Sequence, residues 1–344
     1  MAKLNHTHYD SAEARTLKNS AIPAAVMASD ATHFDSADDA SIFFARELDY
    51  VKSQSYDVEY PELTALSLFP LTSEADPGAE TITYYTYDKT GMAKVIDNYS
   101  TDLPRADVNG KPSYARVKSI GDSYGYSAQE MRASRLAGKR LDVRKAESAR
   151  YQIDRLNNQI AWAGDAASGL MGVLSEGQNI PLYTIGAGAT STKTKWTEKT
   201  ADEILEDING MVRQVAKTTK NVERPDTLCL PADVYVDIST RRIPDTSISV
   251  LKYLLDHQPY IKNIVSAAEL DADATDTNPY AANGDGVAFL FTNNARKLAI
   301  ENPMPFYQYP IQVHNLETTV PCEARTAGVI VYYPMSALIA VGVS

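Results

Sequence analysis

The sequence predicts an α+β fold, in which helices and strands occupy separate stretches of the chain. Extended stretches rich in Thr and Tyr come first, and a long helical pattern follows them. From Lys297 to the end, strand patterns interrupted by prolines dominate. Strands and helices do not alternate one by one, and no internal repeat occurs. Because the linkers are short, we expect interleaved subdomains.

Composition is that of a globular protein without a membrane segment. The 344 residues are 44% hydrophobic and 22% charged, enough for one large domain or two ordinary ones. No run of about 18 apolar residues occurs and the first twenty residues are polar, so the protein is expected inside a cell or a particle. The net charge of −11 argues against a dedicated nucleic-acid binder.

Cysteine and tyrosine usage adds two expectations. Cys229 and Cys322 each lie in an apolar stretch, far apart in sequence, and are expected to be reduced core thiols. The chain has 21 Tyr but only 7 Phe. Tyr is enriched in protein interfaces whose edges stay wet, so its excess indicates a subunit of an assembly. A Tyr-rich soluble core remains the alternative.

The N-terminal region is predicted to be an extended arm. Its first 35 or so residues show no sustained apolar periodicity and cannot form a core of their own. A neighbouring subunit is expected to order them. In Ser36–Val51, a capping Ser, acidic residues at the start and apolar residues near helical spacing predict a short helix.

A long antiparallel excursion, here called the flap (residues 79–120), follows. Its two β-rich stretches are Thr81–Tyr87 and Tyr114–Ile120. Residues 97–112 between them contain residues typical of turns, which predicts a loose tip. These residues are Pro104, Asn109, Gly110 and Pro112. Neither face of the flap is apolar enough to anchor a core, and a two-stranded ribbon is marginal alone, so it is expected to need a partner surface.

One long helix is predicted from Ser127 to Trp162. Ser127 and Glu130 form a capping box, and Gly164 is suited to the C-terminal end. At about 1.5 Å per residue, the helix is roughly 55 Å long. Its apolar stripe is Ala146, Ala149, Ile153, Leu156 and Ile160. Its first half carries a band of cations, expected either to pair with acidic side chains or to form a solvated face. The band is Arg132, Arg135, Lys139, Arg140, Arg144 and Lys145.

The rest of the chain mixes helices and short strands. A second capping box, Thr200 with Glu203, predicts a helix with an apolar side that includes Ile204 and Ile208. Further helices are predicted to start at Pro231 and to cover Val250–Leu255. Short strands are predicted at Leu228–Leu230, Ile264–Val265 and Val287–Thr292.

The sharpest motif for catalysis is Gly121–Gly125, which matches the nucleophile elbow of serine hydrolases with Ser123 as nucleophile. His257 and His314 lie downstream, as that triad order requires, but neither lies in a recognisable loop motif with a paired acid. We therefore favour a structural interpretation, a strand-to-helix corner flanked by glycines. A serine hydrolase remains the alternative from another functional class.

Other patterns for ligand binding are incomplete. His6 and His8, with Asp10 nearby, could contact a metal ion. A lone His-x-His pair lacks a third ligand and the surrounding hydrogen-bond partners that orient metal ligands, so a metal site is not expected there. Asp271, Asp273 and Asp276 resemble the start of a calcium loop, but Gly is missing at its sixth position and Ala282 stands where the bidentate Glu belongs. They predict an acidic surface loop. Gly186–Gly188 does not open a helix, so phosphate binding is not expected. No catalytic residue, metal or cofactor is predicted.

Several segments of the chain form a recognisable set. They are Gly125–Ser127, Trp162–Asp165, Gly169–Leu174, Pro104–Val108, Cys322–Arg325, and Tyr332–Pro334 with Ala337. Together they resemble the tailed-bacteriophage major capsid proteins. The likeness spans roughly residues 40 to 344. It implies the phage-capsid (Johnson) fold, which encapsulins share, and a division of the chain into named parts. These are an N-terminal arm (1–55), an extended loop or E-loop (79–120), a peripheral domain (121–170 and 297–333) with a spine helix (127–163), and an axial domain (171–296 and 334–344).

The resemblance implies a structural subunit that is not an enzyme. Such subunits self-assemble through pentamers and hexamers into an icosahedral phage head that encloses double-stranded DNA. The implied partners are further copies, a separate scaffolding protein and a portal, with decoration proteins as further candidates. DNA would be contacted non-specifically and no membrane is involved. The implied location is the virion, assembled in the bacterial host cytoplasm. An encapsulin-like nanocompartment shell that loads a cargo enzyme is the alternative.

Some family members cross-link their subunits between a Lys of the extended loop and an Asn of the late strands, aided by a Glu. Glu323 matches that Glu, but Asn315 lies one residue from the Asn position, and a one-residue slip reverses the faces of a strand. Lys89, Lys94 and Lys111 are the candidate lysines, and no motif singles one out. A cross-link is therefore not expected.

Overall fold

The computed structural model describes residues 60–95, 105–137 and 141–344, and the statements below concern these residues. The predicted arm, the helix at Ser36–Val51 and the His6, His8 and Asp10 cluster lie outside them, as do Pro104, Lys139 and Arg140. One compact unit runs from Pro61 to Ser344.

The elements follow the predicted order of flap, helix, mixed region and late strands. The helices are α1 (Thr64–Leu68), α2 (Ala128–Ala137), α3 (Leu141–Trp162), α4 (Ala201–Thr218), α5 (Ala232–Thr240) and α6 (Val250–His257). The first seven strands are β1 (Leu71–Thr72), β2 (Thr81–Thr90), β3 (Asp107–Arg116), β4 (Lys118–Ser127), β5 (Leu182–Thr184), β6 (Thr227–Leu230) and β7 (Asn263–Ser266). The others are β8 (Val287–Phe291), β9 (Leu298–Glu301), β10 (Met304–Gln308), β11 (Gln312–His314), β12 (Glu317–Thr326), β13 (Val329–Val331) and β14 (Ala337–Val341).

The strands form separate sheets. A five-stranded sheet has the order β5-β14-β8-β6-β7, and a three-stranded one the order β1-β9-β13. In a third sheet, β12 pairs with β4 along its whole length and with β10 and β11. In the flap, β2 pairs only with β3. The α+β class is confirmed, with one departure: β6 and β7 are parallel neighbours joined through α5 and α6, a βαβ unit that the sequence did not reveal.

The main core lies on both faces of the five-stranded sheet. Along β8, Phe289 and Phe291 pack with Phe69 and Trp162 on one face. Leu290 packs on the other face, against the helices of the mixed region. Because both faces are covered, β8 is apolar at every position and fully buried. This explains why its sequence is a continuous apolar run.

Helix α4 forms as its sequence predicts. The Thr200 side chain accepts from the Glu203 backbone N–H at 3.4 Å, and the Glu203 carboxylate accepts from the Thr200 N–H at 2.9 Å. This confirms the capping box. Ile204, Ile208 and Met211 form a fully buried stripe against the sheet.

The long helical pattern appears as α2 and α3. The capping box is confirmed, with the Glu130 N–H donating to Ser127 Oγ at 3.1 Å. Gly164 ends α3 with a φ of +78°, as predicted. One residue of the expected stripe was assigned wrongly, because Leu156 is 43% exposed whereas Ile153 and Ile160 are buried against β4 and β12. Residues 138–140 between α2 and α3 are outside the described ranges, so one continuous helix stays a prediction.

The turn predicted near the flap tip was wrong for Asn109, Gly110 and Pro112. All three are rungs of β3, which pairs with β2 over ten residue pairs. Pro is tolerated because a two-stranded ribbon consists only of edge strands. Gly110 leaves room for the ring of Tyr87, which a Cβ would approach to 3.0 Å. The second predicted strand, Tyr114–Ile120, is divided between β3 and β4.

Candidate assembly surfaces

The structure gives Ser123 no nucleophile elbow. Ser123 lies inside β4, opposite Pro321 of β12, four residues before the cap at Ser127. The predicted corner at Gly121–Gly125 was therefore also wrong, since the strand continues through it. His314 lies on β11 opposite Glu317, and His257 ends α6, stacked on a Tyr ring. The motif match reflects glycines and serines in a paired strand.

The calcium-like loop has a structural role at one position. The Asp271 carboxylate accepts from the Ala232 N–H at 2.7 Å, at the start of α5. Burial raises the pKa of Asp271. Asp273 and Asp276 are exposed, as an acidic surface loop requires. In the described ranges, no three His, Cys, Asp or Glu side chains are arranged to hold a metal ion.

Both cysteines are buried and free, which confirms the prediction of core thiols for Cys229 and Cys322. Burial raises the pKa of both thiols. Their side chains lie in two different apolar clusters, one at the central sheet and one between α3 and β12. Among the described helices, none has the length and apolar character needed to span a membrane.

The loop before α4 is fixed by buried charges. Lys199 Nζ is 2.6 Å from Asp207 Oδ2 and donates to the Gly186 carbonyl at 2.7 Å, with the Lys199 side chain only 1% exposed. Trp196 Nε1 donates to the same carboxylate oxygen at 2.9 Å. Arg241 donates to the carbonyls of Trp196 and Thr197. Lys199 thus fixes the segment that contains Gly186.

The cationic band of the long helix is partly engaged within the chain. Lys145 Nζ donates to the Gly125 carbonyl at 2.7 Å and pairs with Glu130 at 3.3 Å. A hydrogen bond from the Ser127 backbone, followed by Lys145, holds the pKa of Glu130 below its usual value. Lys145 thus fixes the corner between β4 and α2. Arg132 and Arg135 are exposed on α2.

The flap has two different faces. Ile82 and Tyr84 are half-buried, and the ring of Tyr84 contacts Tyr332 edge to face at 5.1 Å. On the opposite face Tyr85, Tyr87 and Tyr114 are 61%, 71% and 67% exposed. Tyr85 and Tyr87 stack on each other, with 6.4 Å between ring centroids. No residue of β2 or β3 is buried. The exposed tyrosines form a surface called here the Tyr face.

A second exposed apolar surface, the late-strand patch, lies at β11. Ile311, Val313 and Leu316 are 60%, 72% and 70% exposed. Large exposed apolar side chains gathered in one region usually mark a binding surface. The chain thus carries two such surfaces, on different elements.

The residues considered for cross-linking lie on different strands and in the segments between them. Glu323 on β12 accepts from the Tyr309 hydroxyl at 2.7 Å, and this bond, followed by one from Ser119, lowers the pKa of Glu323. Asn315 lies in the turn between β11 and β12 with a φ of +55°. Lys89 and Lys111 are exposed on β2 and β3, and Lys94 is exposed beyond β2. The absence of a cross-link stays a prediction.

Solved phage capsids share this fold. The chain matches the capsid of Myoviridae phage XM1 with a TM-score of 0.72 and 18% identity, over 88% of this chain and 100% of that chain. The capsid of a native GTA particle matches with a TM-score of 0.62 and 9% identity, over 90% and 100%. A structure titled Mycobacterium phage Ogopogo matches with a TM-score of 0.56 and 11% identity, over 88% and 99%.

Sequence comparison adds the family. No curated protein sequence matches the chain. The model of the major capsid protein family matches residues 91–343, from the flap through the last strand. That span covers most of the 344 residues and all the strands except β1 and β2. With the capsid fold and two open apolar surfaces, it shows that the chain belongs to the major capsid protein family.

Proposed function

We propose that copies of this chain form pentamers and hexamers and close an icosahedral phage head around double-stranded DNA, assembled in the cytoplasm of a bacterial host. The observation that carries the proposal is the flap. None of the residues in its ten β2–β3 pairs is buried, and its Tyr face is exposed to solvent. A two-stranded ribbon of this kind is at best marginally stable alone, so a neighbouring copy is its natural partner.

The parts of the chain receive the roles that the family resemblance implied. Residues 1–55 are proposed as the N-terminal arm and 79–120 as the extended loop. Residues 127–163 are proposed as the spine helix of a peripheral domain made of 121–170 and 297–333, and 171–296 with 334–344 as the axial domain. Two separate apolar clusters support this division into two domains. One is formed by α3, β4 and β12, and the other surrounds α4.

Ring formation requires two different surfaces on each copy, because a head-to-tail contact joins unlike patches. The Tyr face and the late-strand patch meet that requirement. With a net charge of −11, the shell would contact DNA only non-specifically. A separate scaffolding protein, a portal and decoration proteins complete the proposed partners. The proposed role involves no catalysis and no cofactor.

The test is electron microscopy and sedimentation of the purified full-length protein, compared with a shortened-flap variant. The variant replaces residues 85–112 by an Asn-Gly turn. The paired residues Tyr84 and Ser113 then flank this turn as the last pair of a shorter hairpin. The natural chain is expected to give closed or partial shells, and the variant small folded oligomers. A uniform small oligomer of the natural chain at every salt and protein concentration, with and without a scaffolding protein, would contradict the proposal. Shell diameter separates a phage head from a small compartment.

A further inference from the structure

The chain enters and leaves the flap through two differently built segments. On the exit side, Val117 is buried and its N–H donates to the Glu80 carbonyl at 2.9 Å. Lys118 immediately begins the β4–β12 ladder, opposite Thr326. On the entry side, residues 73–80 form neither helix nor strand. The exit is therefore fixed by a sheet, and the entry needs another source of order.

That order comes from the side chain of Glu301, at the end of β9. Its carboxylate accepts from the Thr72 hydroxyl, from the Glu74 N–H at 2.8 Å and from the Ala75 N–H at 3.1 Å. Glu301 is only 3% exposed and forms no ion pair with any described residue. A buried carboxylate is costly unless its oxygens are hydrogen-bonded, so these three donors and the carboxylate hold each other in place.

Two further contacts extend this order towards the flap. Arg325 on β12 donates to the Pro77 carbonyl. The Asp76 carboxylate accepts from the Gly78 N–H at 2.8 Å, which closes a turn just before β2. The entry segment, residues 72–78, is thus attached to two strands of the body, β9 and β12.

We propose that Glu301 is a positioning residue that sets the angle at which the flap leaves the body. The flap strands have ten residues each, so the flap extends about 33 Å at roughly 3.3 Å per residue. A rotation of about 10° at its base would move the tip by roughly 6 Å, more than the spacing of about 4.8 Å between neighbouring strands. An untethered entry segment would therefore place the Tyr face out of register on its partner. This consequence for assembly rests on the proposed function.

The first experiment follows amide hydrogen exchange in the unassembled full-length chain. Glu301→Ala is expected to speed exchange at the Glu74 and Ala75 amides on the order of tenfold, with the amides of β8 unchanged. Glu301→Gln should exchange like the natural chain, because its carboxamide oxygen still accepts and its NH2 group can donate to Thr72. If Glu301→Ala does not fold, Thr72→Val, which removes one donor without changing shape, is expected to give a smaller increase.

The second experiment compares shells made by these variants with a matched control, Glu223→Ala. Glu223 is also a buried carboxylate, bonded to Lys297 at 2.6 Å, but it does not contact the entry segment. Glu301→Ala is expected to give irregular or unclosed shells, whereas Glu301→Gln and Glu223→Ala give regular ones.

Amide exchange at Glu74 and Ala75 that is unchanged in Glu301→Ala would overturn the proposal. So would regular shells from Glu301→Ala at the natural yield, or an equal loss with Glu223→Ala, which would indicate a general effect of stability. If the natural chain formed no shells, the proposed function would fail, while the exchange measurement would still decide the role of Glu301.

Discussion

The flap and the five-stranded sheet are both β-structure, but they obtain their stability from different sources. Strand β8 has five residues, all buried, with both faces covered by the same chain. Strand β2 has ten residues, none buried, and one partner strand. Burying a large apolar side chain contributes about 1.5–3 kcal/mol, and the described flap gains little of this from its own chain. We therefore expect the sheet to fold in an isolated subunit and the flap to need neighbouring copies for its stability.

The largest effect is expected where the sheet is most densely packed. Phe289 contacts three aromatic rings, with centroids 5.0 Å from Phe291, 6.1 Å from Phe69 and 6.4 Å from Trp162. Phe289→Ala should lower the free energy of unfolding by about 3–5 kcal/mol, because the cavity cannot collapse among rigid rings. Denaturant unfolding of the subunit measures this. A loss below about 1 kcal/mol would show that the aromatic cluster is not the core of the body.

An intermediate, pH-dependent effect is expected at Glu203, beside the sheet. Hydrogen bonds from the backbone N–H groups of Ser191 and then Thr200 hold the pKa of Glu203 well below its usual value. Since the folded pKa lies below the unfolded value of about 4.3, this stabilisation is complete above that pH and is lost as the pH falls towards the folded pKa.

The measurement is the melting temperature of the natural chain and of Glu203→Gln across pH. Their difference should be largest near neutral pH and should shrink below about pH 4.3. Glu206→Gln, on the exposed side of the same helix, is the control. A difference that is constant from neutral to acidic pH would contradict the role given to the carboxylate.

The smallest effect on the subunit is expected in the flap. Replacing Tyr85 and Tyr87 together by Ser should change the free energy of unfolding of the subunit by less than about 0.5 kcal/mol, because both rings are solvent-exposed. The yield of closed shells should nevertheless fall strongly. The double replacement by Phe, which keeps both rings, is the control and should retain shells. Normal shells from the Ser variant would show that the Tyr face is not an assembly surface.

The sequence predicted those elements whose signals are local. Both capping boxes lie within four residues, and the apolar run of β8 is visible without knowledge of its neighbours. The signals failed where a distant strand decides the conformation. Asn109 and Gly110 are typical of turns, yet β2 draws them into a ladder, and Ser123 is placed by β12, almost two hundred residues away.

The candidate surfaces were predictable only in part. The excess of Tyr indicated an assembly subunit, and alternation along β2 explains why Tyr85 is open while Tyr84 faces the body. The role of Glu301 could not be predicted, because the residues it binds lie more than 220 positions away. Its three donors are one hydroxyl and two backbone N–H groups, which carry no sequence pattern.

The most direct test of this account is amide hydrogen exchange of the flap in isolated subunits and in assembled shells. We predict that the amides of Thr81–Thr90 and Asp107–Arg116 exchange fast in the subunit and become strongly protected in the shell, while those of β8 are protected equally in both. Equal exchange of the flap in the two states would contradict the claim that neighbouring copies stabilise it.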